Sequence, residues 1–254
     1  MTKIIDINAE NIDKQVLFCK KTKTKMPGYQ NKVKWMKDRF KEGLKYKVLY
    51  VKEGIKETSR GMIEYIPGEY NWRGIKADGW MVIHCIWVVG KAKKQGSGDK
   101  LLQAAIEDAK NFGMHGIVGM SAEKGGWVPN KKLFLKNGFV KVDEIEPNFS
   151  LYAKIFNEDA PKPRFNPIDK IKQKKYSQGA TIIYTDQCPY ITDLVMELEE
   201  FNSKGKLHAI KVDDCRKAQQ NGIYPYGTYC IICDGEISLY KHTSKKELSA
   251  ILNR

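Results

Sequence analysis

No apolar run in this chain approaches the roughly 20 residues that a membrane-spanning helix needs. Met1-Thr2-Lys3-Ile4 does not open a secretory leader either. Together these absences create the expectation of a cytoplasmic protein with no membrane partner. Cysteine is sparse and irregularly spaced: six residues, none in a His/Cys cluster with structural-zinc spacing. The expectation is reduced thiols and no metal site. Acidic residues are outnumbered, with 30 Asp and Glu against 44 Lys and Arg and a net charge of +14. No nucleic-acid motif accompanies that charge, and the lysines are spread over the N-terminal region, one central loop and a linker. Nucleic acid is therefore not an expected partner. At 254 residues the chain is long enough for two small domains, each with its own core.

The most informative stretch lies at 88–102. An apolar strand, Trp80 to Val89, runs into the basic loop Gly90-Lys91-Ala92-Lys93-Lys94-Gln95-Gly96-Ser97-Gly98, which opens an amphipathic helix from about Gly98 to Phe112. Backbone N–H groups at a helix start, freed by glycines and flanked by lysines, form a cradle for a phosphate-bearing ligand. A Walker A loop is excluded, because Asp99-Lys100 follows Gly98 where Lys-Ser/Thr is required. The spacing of Gly90, Gly96 and Gly98 also excludes the dinucleotide fingerprint. Downstream, a short apolar run from Ile117 to Ala122 leads to Pro129-Asn130-Lys131-Lys132 and then Phe134-Leu135-Lys136-Asn137-Gly138-Phe139. Pro129 suits a first helical turn and Gly138 a helix end.

Lys93-Lys94-Gln95-Gly96-Ser97-Gly98 resembles the pyrophosphate loop of the GNAT N-acetyltransferases, Arg/Gln-x-x-Gly-x-Gly/Ala, with Lys93 departing from the usual first residue. Phe134 to Phe139 resembles the same family's Tyr-x-Lys-x-Gly-Phe signature, with Phe134 in place of the tyrosine. The resemblance covers most of Met1 to Lys154. It implies an acetyl-CoA-dependent enzyme with a mixed sheet flanked by helices, whose two parallel strands splay apart after Val88. Ile86, Val88, Lys93, Lys94, Gln95, Gly96, Ser97, Gly98, Asn130 and Phe134 are the implied cofactor-binding positions. The acceptor would be the amine of a small molecule or peptide, and a homodimer is compatible.

An amine must be neutral to attack a thioester, and a free alkyl amine has a pKa of about 10, so a base or water chain is required. His84 is the expected base. Strand alternation would place Val82, His84, Ile86 and Val88 on one face. Phe134 cannot protonate a departing thiolate as a tyrosine would, which leaves water, Tyr65, Tyr70 or Ser121. Glu64, Tyr65, Glu69, Tyr70, Trp72 and Asp78, around the Pro67-Gly68 turn, are the expected wall of the acceptor pocket and suit a cationic amine.

After Phe156 the composition changes. Residues 157–178 carry Pro161, Pro163 and Pro167 and a run of lysines, the signature of an extended linker or docking arm. From 179 a new pattern begins, with strand 180–185, helix 189–203, strand 207–212, helix 214–221, strands 228–233 and 236–240, and helix 244–252. That βαβαββα order is thioredoxin-like. Within it, Cys188-Pro189-Tyr190-Ile191 resembles the glutaredoxin Cys-Pro-Tyr-Cys site with its second cysteine replaced. Gly227 stands where that family has its cis-proline. The tandem arrangement resembles the YoaP-type acetyltransferases.

The expected fold class is thus α/β (α+β): a GNAT domain over 1–156, a linker over 157–178, and a small thioredoxin-like domain over 179–254. Cys188, just before a helix start, is the second catalytic candidate, since a helix dipole favours its thiolate. The rival functional readings are a non-catalytic acyl-CoA-binding sensor and a thiol-handling enzyme using Cys188.

Overall fold

The computed structural model describes residues 2–123, 128–146, 148–200, 207–220 and 224–239. In chain order the elements are β1 (Thr2–Ile7), α1 (Pro27–Phe40), β2 (Lys45–Glu53), β3 (Lys56–Pro67), β4 (Ile75–Lys76), β5 (Met81–Val88), α2 (Ser97–Asn111), β6 (Gly116–Ala122), α3 (Lys131–Lys136), β7 (Val140–Ile145) and β8 (Phe149–Ile155). They continue with β9 (Arg164–Phe165), α4 (Lys170–Lys174), β10 (Ala180–Tyr184), α5 (Pro189–Glu200), β11 (Leu207–Lys211), α6 (Cys215–Gln220), β12 (Tyr229–Cys233) and β13 (Glu236–Leu239). The helix expected over 244–252 lies outside the described residues. Among those residues, no helix is long and apolar enough to cross a membrane.

Seven strands form one mixed sheet in the order β1-β2-β3-β5-β6-β8-β7. Every neighbouring pair in it is antiparallel except β5 and β6. Helix α2 lies on one face because its apolar residues recur at helical spacing: Leu101, Leu102, Ala105, Ile106 and Ala109 are all buried. They pack with Leu49, Ile63, Ile83, Ile117 and Phe134. Burial of each leucine or isoleucine contributes about 1.5–3 kcal/mol. Helix α1 begins with Pro27 in its first turn. Helix α1 buries Tyr29, Lys32, Trp35 and Met36 against the opposite face of the sheet.

The second sheet has the order β11-β10-β12-β13, with β10 parallel to β11 and antiparallel to β12. Its apolar interior is continuous with the α1 side of the first sheet, so that Trp35, Met36, Ile182 and Ile231 belong to one cluster. The two sheets are also held by specific contacts. Asp193 of α5 pairs with Lys20 and accepts from the Gly28 N–H at 2.6 Å. Within the proline-rich segment, β9 pairs with β4, and the Asn166 N–H donates to the Gly74 carbonyl at 2.8 Å.

Glycine is required at the junction. Gly227 has φ +75°, and a Cβ there would stand 2.2 Å from the Trp72 carbonyl oxygen. The Trp72–Gly74 segment consequently runs against the Tyr224–Gly227 backbone, with the Gly74 N–H donating to the Pro225 carbonyl at 2.9 Å.

Candidate active site

Parallel pairing of β5 with β6 covers Met81, Val82 and Ile83 opposite Ile117, Val118 and Gly119, and then stops. The separation therefore begins after Ile83, five residues earlier than the expected point at Val88. The cause is a bulge in β5. Cys85 faces Glu64 and Ile83 faces Tyr65 on β3, so His84 is the extra residue. Arg73 occupies the His84 carbonyl with its guanidinium, and the Trp72 N–H donates to His84 Nε2 at 3.0 Å. Beyond this point β5 follows β3 while β6 follows β8, and a gap opens between them.

The bulge also corrects the expected alternation. Val82, His84 and Cys85 turn toward α1, while Ile83, Ile86 and Val88 turn toward α2. His84 therefore does not share a face with Ile86 and Val88. It is buried, 6.5 Å from the Trp35 ring, with Nδ1 3.4 Å from Glu64 Oε1. Burial lowers its pKa to about 4 against the pull of Glu64, with Arg73 and Lys32 lowering it further. The imidazole is thus neutral at pH 7. Its Nε2 lone pair is taken by Trp72, which places the ring proton on Nδ1, facing Glu64.

Glu64 is the centre of this cluster. Its Oε2 lies 2.5 Å from Lys32 Nζ of α1, and its Oε1 accepts from Gln187 Nε2 at 2.9 Å. Burial pushes the carboxyl pKa up, but Lys32 and His84 outweigh it and hold it at about 2. Gln187 comes from the second sheet's first loop, so the constellation is completed by residues 123 positions apart.

A cavity of about 280 Å³ adjoins it, lined by Lys32, Glu64 and Gln187, by Cys19, Cys85 and Cys188, and by Met62, Ile86, Trp87, Val128, Pro189, Tyr190 and Tyr226. Ile86 and Trp87 belong to the separated end of β5, and Val128 precedes α3 on the far side of the gap. The cavity therefore opens where the strands part, with the second sheet's Cys188-Pro189-Tyr190 turn on its wall.

The basic loop forms a single 3₁₀ turn, Gly90–Lys94, and Gly96, at φ +69°, caps α2. Helix geometry leaves the first N–H groups of α2 without intrahelical partners. Ser97 is 1% exposed, and its Oγ has no hydrogen-bond partner among the described residues. Lys93 and Gln95 are exposed; the Lys94 side chain lies outside what is described. The loop is braced by the downstream signature: Asp99 pairs with Lys136 at 2.7 Å and accepts from Asn137 at 2.8 Å. Gly98 lies against Leu133.

Other expected residues are placed as follows. Asn130 caps α3, its side chain accepting from the Lys132 N–H at 2.9 Å. Phe134 is fully buried, stacked on Tyr152 and pressed onto Gly119, the last residue of β6 to pair with β5. Of the hydroxyls considered as proton donors, Tyr65 donates to Asp108 at 2.6 Å and Ser121 to the Pro129 carbonyl at 2.8 Å. Tyr70 is exposed, and none of the three lines the cavity. Of the residues around the Pro67-Gly68 turn, Glu64 alone is on the cavity wall; Glu69 accepts from the Gly79 N–H at 2.7 Å.

Cys188 corrects a second expectation. It does precede a helix, and backbone N–H groups of Ile191 and Tyr190 favour its thiolate, but burial outweighs them and raises the thiol pKa. Burial likewise raises Cys19, and it pushes Cys85 up to about 12. Lys32, Arg73 and Gln187 were not singled out from sequence. Lys32 carried a usable signal: it falls on the buried stripe of α1 between Tyr29 and Trp35.

The candidate site thus combines a gap between two parallel strands, a helix-start loop and an enclosed polar cluster. N-acetyltransferase YoaP of Bacillus subtilis (strain 168), itself uncharacterized, is 31% identical to this chain over 256 residues, covering 98% of each. No family model matches the chain. Among solved structures, a GNAT-family acetyltransferase from Staphylococcus aureus Mu50 aligns over 62% of this chain and 100% of its own, at 14% identity and TM-score 0.43. One from Brucella melitensis, solved with acetyl-CoA, aligns over 64% of this chain and 92% of its own, at 14% identity and TM-score 0.37. The protein is of the acyltransferase class. It belongs to the family of N-acetyltransferase YoaP.

Proposed function

We propose that this protein is an acetyl-CoA-dependent N-acetyltransferase acting on an amine enclosed between its two halves. The observation that carries the reading is the early end of β5–β6 pairing at Ile83 and Gly119. That leaves the β6-facing edge of β5 from Ile86 to Val88 without a strand partner among the described residues, and so open to an extended acyl-carrier arm, while its other edge stays paired with β3. The start of α2 supplies the matching anion site. Its unpaired N–H groups and the orphaned, buried Ser97 hydroxyl fit a pyrophosphate, and exposed Lys93 adds positive potential. Asn130, as a helix cap, and Phe134, as a packed ring, serve the shape of this site without contacting the ligand.

In the reaction the amine nitrogen forms a bond to the acetyl carbon, and the C–S bond breaks with its electron pair passing to sulfur. The nitrogen loses one proton and the thiolate gains one. His84 has no free lone pair, so we assign it as a positioning residue that, with Lys32 and Gln187, fixes Glu64. A carboxylate with a pKa of about 2 orients the amine but is too weak to deprotonate it fully. Water accordingly carries the protons at both ends of the reaction.

The C-terminal part is read as a thioredoxin-like module from its β10-α5-β11-α6-β12-β13 order and the β11-β10-β12-β13 sheet. Its Gly227 edge is covered by Trp72–Gly74, and Cys188 is a wall residue of the acceptor site. The acyltransferase reading is tested by following free-thiol release from acetyl-CoA with an amine panel, for the wild type and Ser97→Val. Acceptor-stimulated release, with KM for acetyl-CoA raised at least several-fold in the variant, is expected. Tight acetyl-CoA binding without release across the panel would leave the sensor reading.

A further inference from the structure

The charge in and behind the cavity wall is unbalanced. Lys32 and Glu64 line the cavity as one positive and one negative group; behind the wall, Arg73, bonded to the His84 and Tyr226 carbonyls, adds a second positive charge, and His84 is neutral. Arg73 is 1% exposed and has no carboxylate partner among the described residues: its guanidinium bonds to the carbonyls of His84 and Tyr226 and to Thr228 Oγ1, and it lies 3.9 Å over the Tyr226 ring. Among the described residues, the nearby ion pairs Lys20 with Asp193, Lys211 with Asp186 and Arg39 with Glu42 are each internally balanced. An enclosed site with a positive surplus favours a ligand that brings in negative charge.

Lys32 is placed to receive it. The ammonium carries three N–H donors, and one is committed to Glu64 Oε2. Its ring contact, 4.2 Å over Trp35, fixes the side chain without using a donor. Lys32 and Glu64 both line the cavity and touch each other, so an anion on the first and an amine beside the second would be immediate neighbours. Those two groups are adjacent when both are borne on one carbon. The remaining wall is apolar and polarizable, chiefly Met62, Trp87, Tyr226 and three thiols. At about 280 Å³ the space lies just below the range of roughly 300–1,000 Å³ that holds drug-sized ligands. It is about twice a cavity that holds benzene.

We infer that the acceptor is a small amine of the α-amino-acid class with an apolar side chain. It is bound as its carboxylate with the amine neutral, the ammonium proton having been left in water, so that it brings one negative charge into the site. Its carboxylate sits on Lys32, its amine faces Glu64, and its side chain lies against Met62, Trp87 and Tyr226. This rests on the acetyltransferase reading and narrows it: a free amino acid fits the enclosed charge pattern, and neither a bare amine nor a peptide chain does.

The test compares matched acceptors with the full chain and acetyl-CoA. Leucine and phenylalanine are set against their decarboxylated counterparts, isopentylamine and phenethylamine, and against a leucyl dipeptide. The expected result is a kcat/KM at least tenfold higher for the amino acids. Lys32→Gln should reduce that preference to less than threefold. Because Lys32→Gln leaves Glu64 without its cation and can weaken folding, Trp87→Ala is measured beside it and should raise KM for phenylalanine while the amino-acid preference persists. Faster acetylation of the bare amines or the dipeptide overturns the inference and leaves the transferase reading standing. Calorimetric binding of leucine with no acetylation of any acceptor keeps the ligand class and overturns the transferase reading. No binding and no acetylation of the amino acids overturns the inference.

Discussion

His84 offers a prediction whose size can be worked from the structure. In the unfolded chain the imidazole takes up a proton near pH 6.5; in the folded protein burial holds that event down to about pH 4. Between those values the unfolded state binds a proton that the native state does not, so stability falls as pH falls, at about 1.4 kcal/mol per pH unit. Across the window the loss comes to about 3 kcal/mol, and above pH 6.5 His84 contributes no slope. Glu64 adds a loss of the same sign, but only from about pH 4.5 down to about 2. Urea unfolding of the wild type and His84→Gln at pH 7, 6, 5 and 4 separates the two. Glutamine keeps an acceptor for the Trp72 N–H and does not titrate. The wild type should lose about 3 kcal/mol more than the variant between pH 7 and 4, whatever their difference at pH 7. Parallel profiles would refute the burial argument and restore His84 as an accessible base.

Two further outcomes follow from close packing. Gly227→Ala forces a side chain into the left-handed region, at about 1–2 kcal/mol, and drives its Cβ into the Trp72 carbonyl. Denaturant unfolding should show a loss above 2 kcal/mol, with a changed tryptophan fluorescence as Trp87 separates from Tyr190. Gly119→Ala places a methyl on the Phe134 ring and should cost about 1–3 kcal/mol, recovered in part by adding Phe134→Leu.

Much of the architecture was legible because it is local. The β5-loop-α2 unit announces itself through an apolar run, glycines and a helical stripe, and its observed bounds, Met81–Val88 and Ser97–Asn111, lie within one residue of the reading. The second sheet's strands were equally plain. What could not be read was the bulge. The sequence Ile83-His84-Cys85-Ile86 alternates acceptably in either phase, and the choice is made by Arg73 and Trp72, which arrive from a separate loop. Nor does a sequence show that Gln187 will reach Glu64 across 123 residues, since that contact depends on how two sheets dock. The raised thiol pKa of Cys188 was hidden in the sequence for a related reason. The helix start is local and visible, whereas the burial that overrides it is supplied by the other half of the chain.

A crystal structure of the protein with coenzyme A tests the central claim most directly. The account predicts pyrophosphate oxygens within hydrogen-bond reach of the backbone N–H groups of Gly96–Gly98 and the Ser97 hydroxyl, the carrier arm along Ile86–Val88, and the thiol at the mouth of the cavity near Val128. Coenzyme A bound elsewhere, with the start of α2 and the gap between β5 and β6 empty, would contradict it.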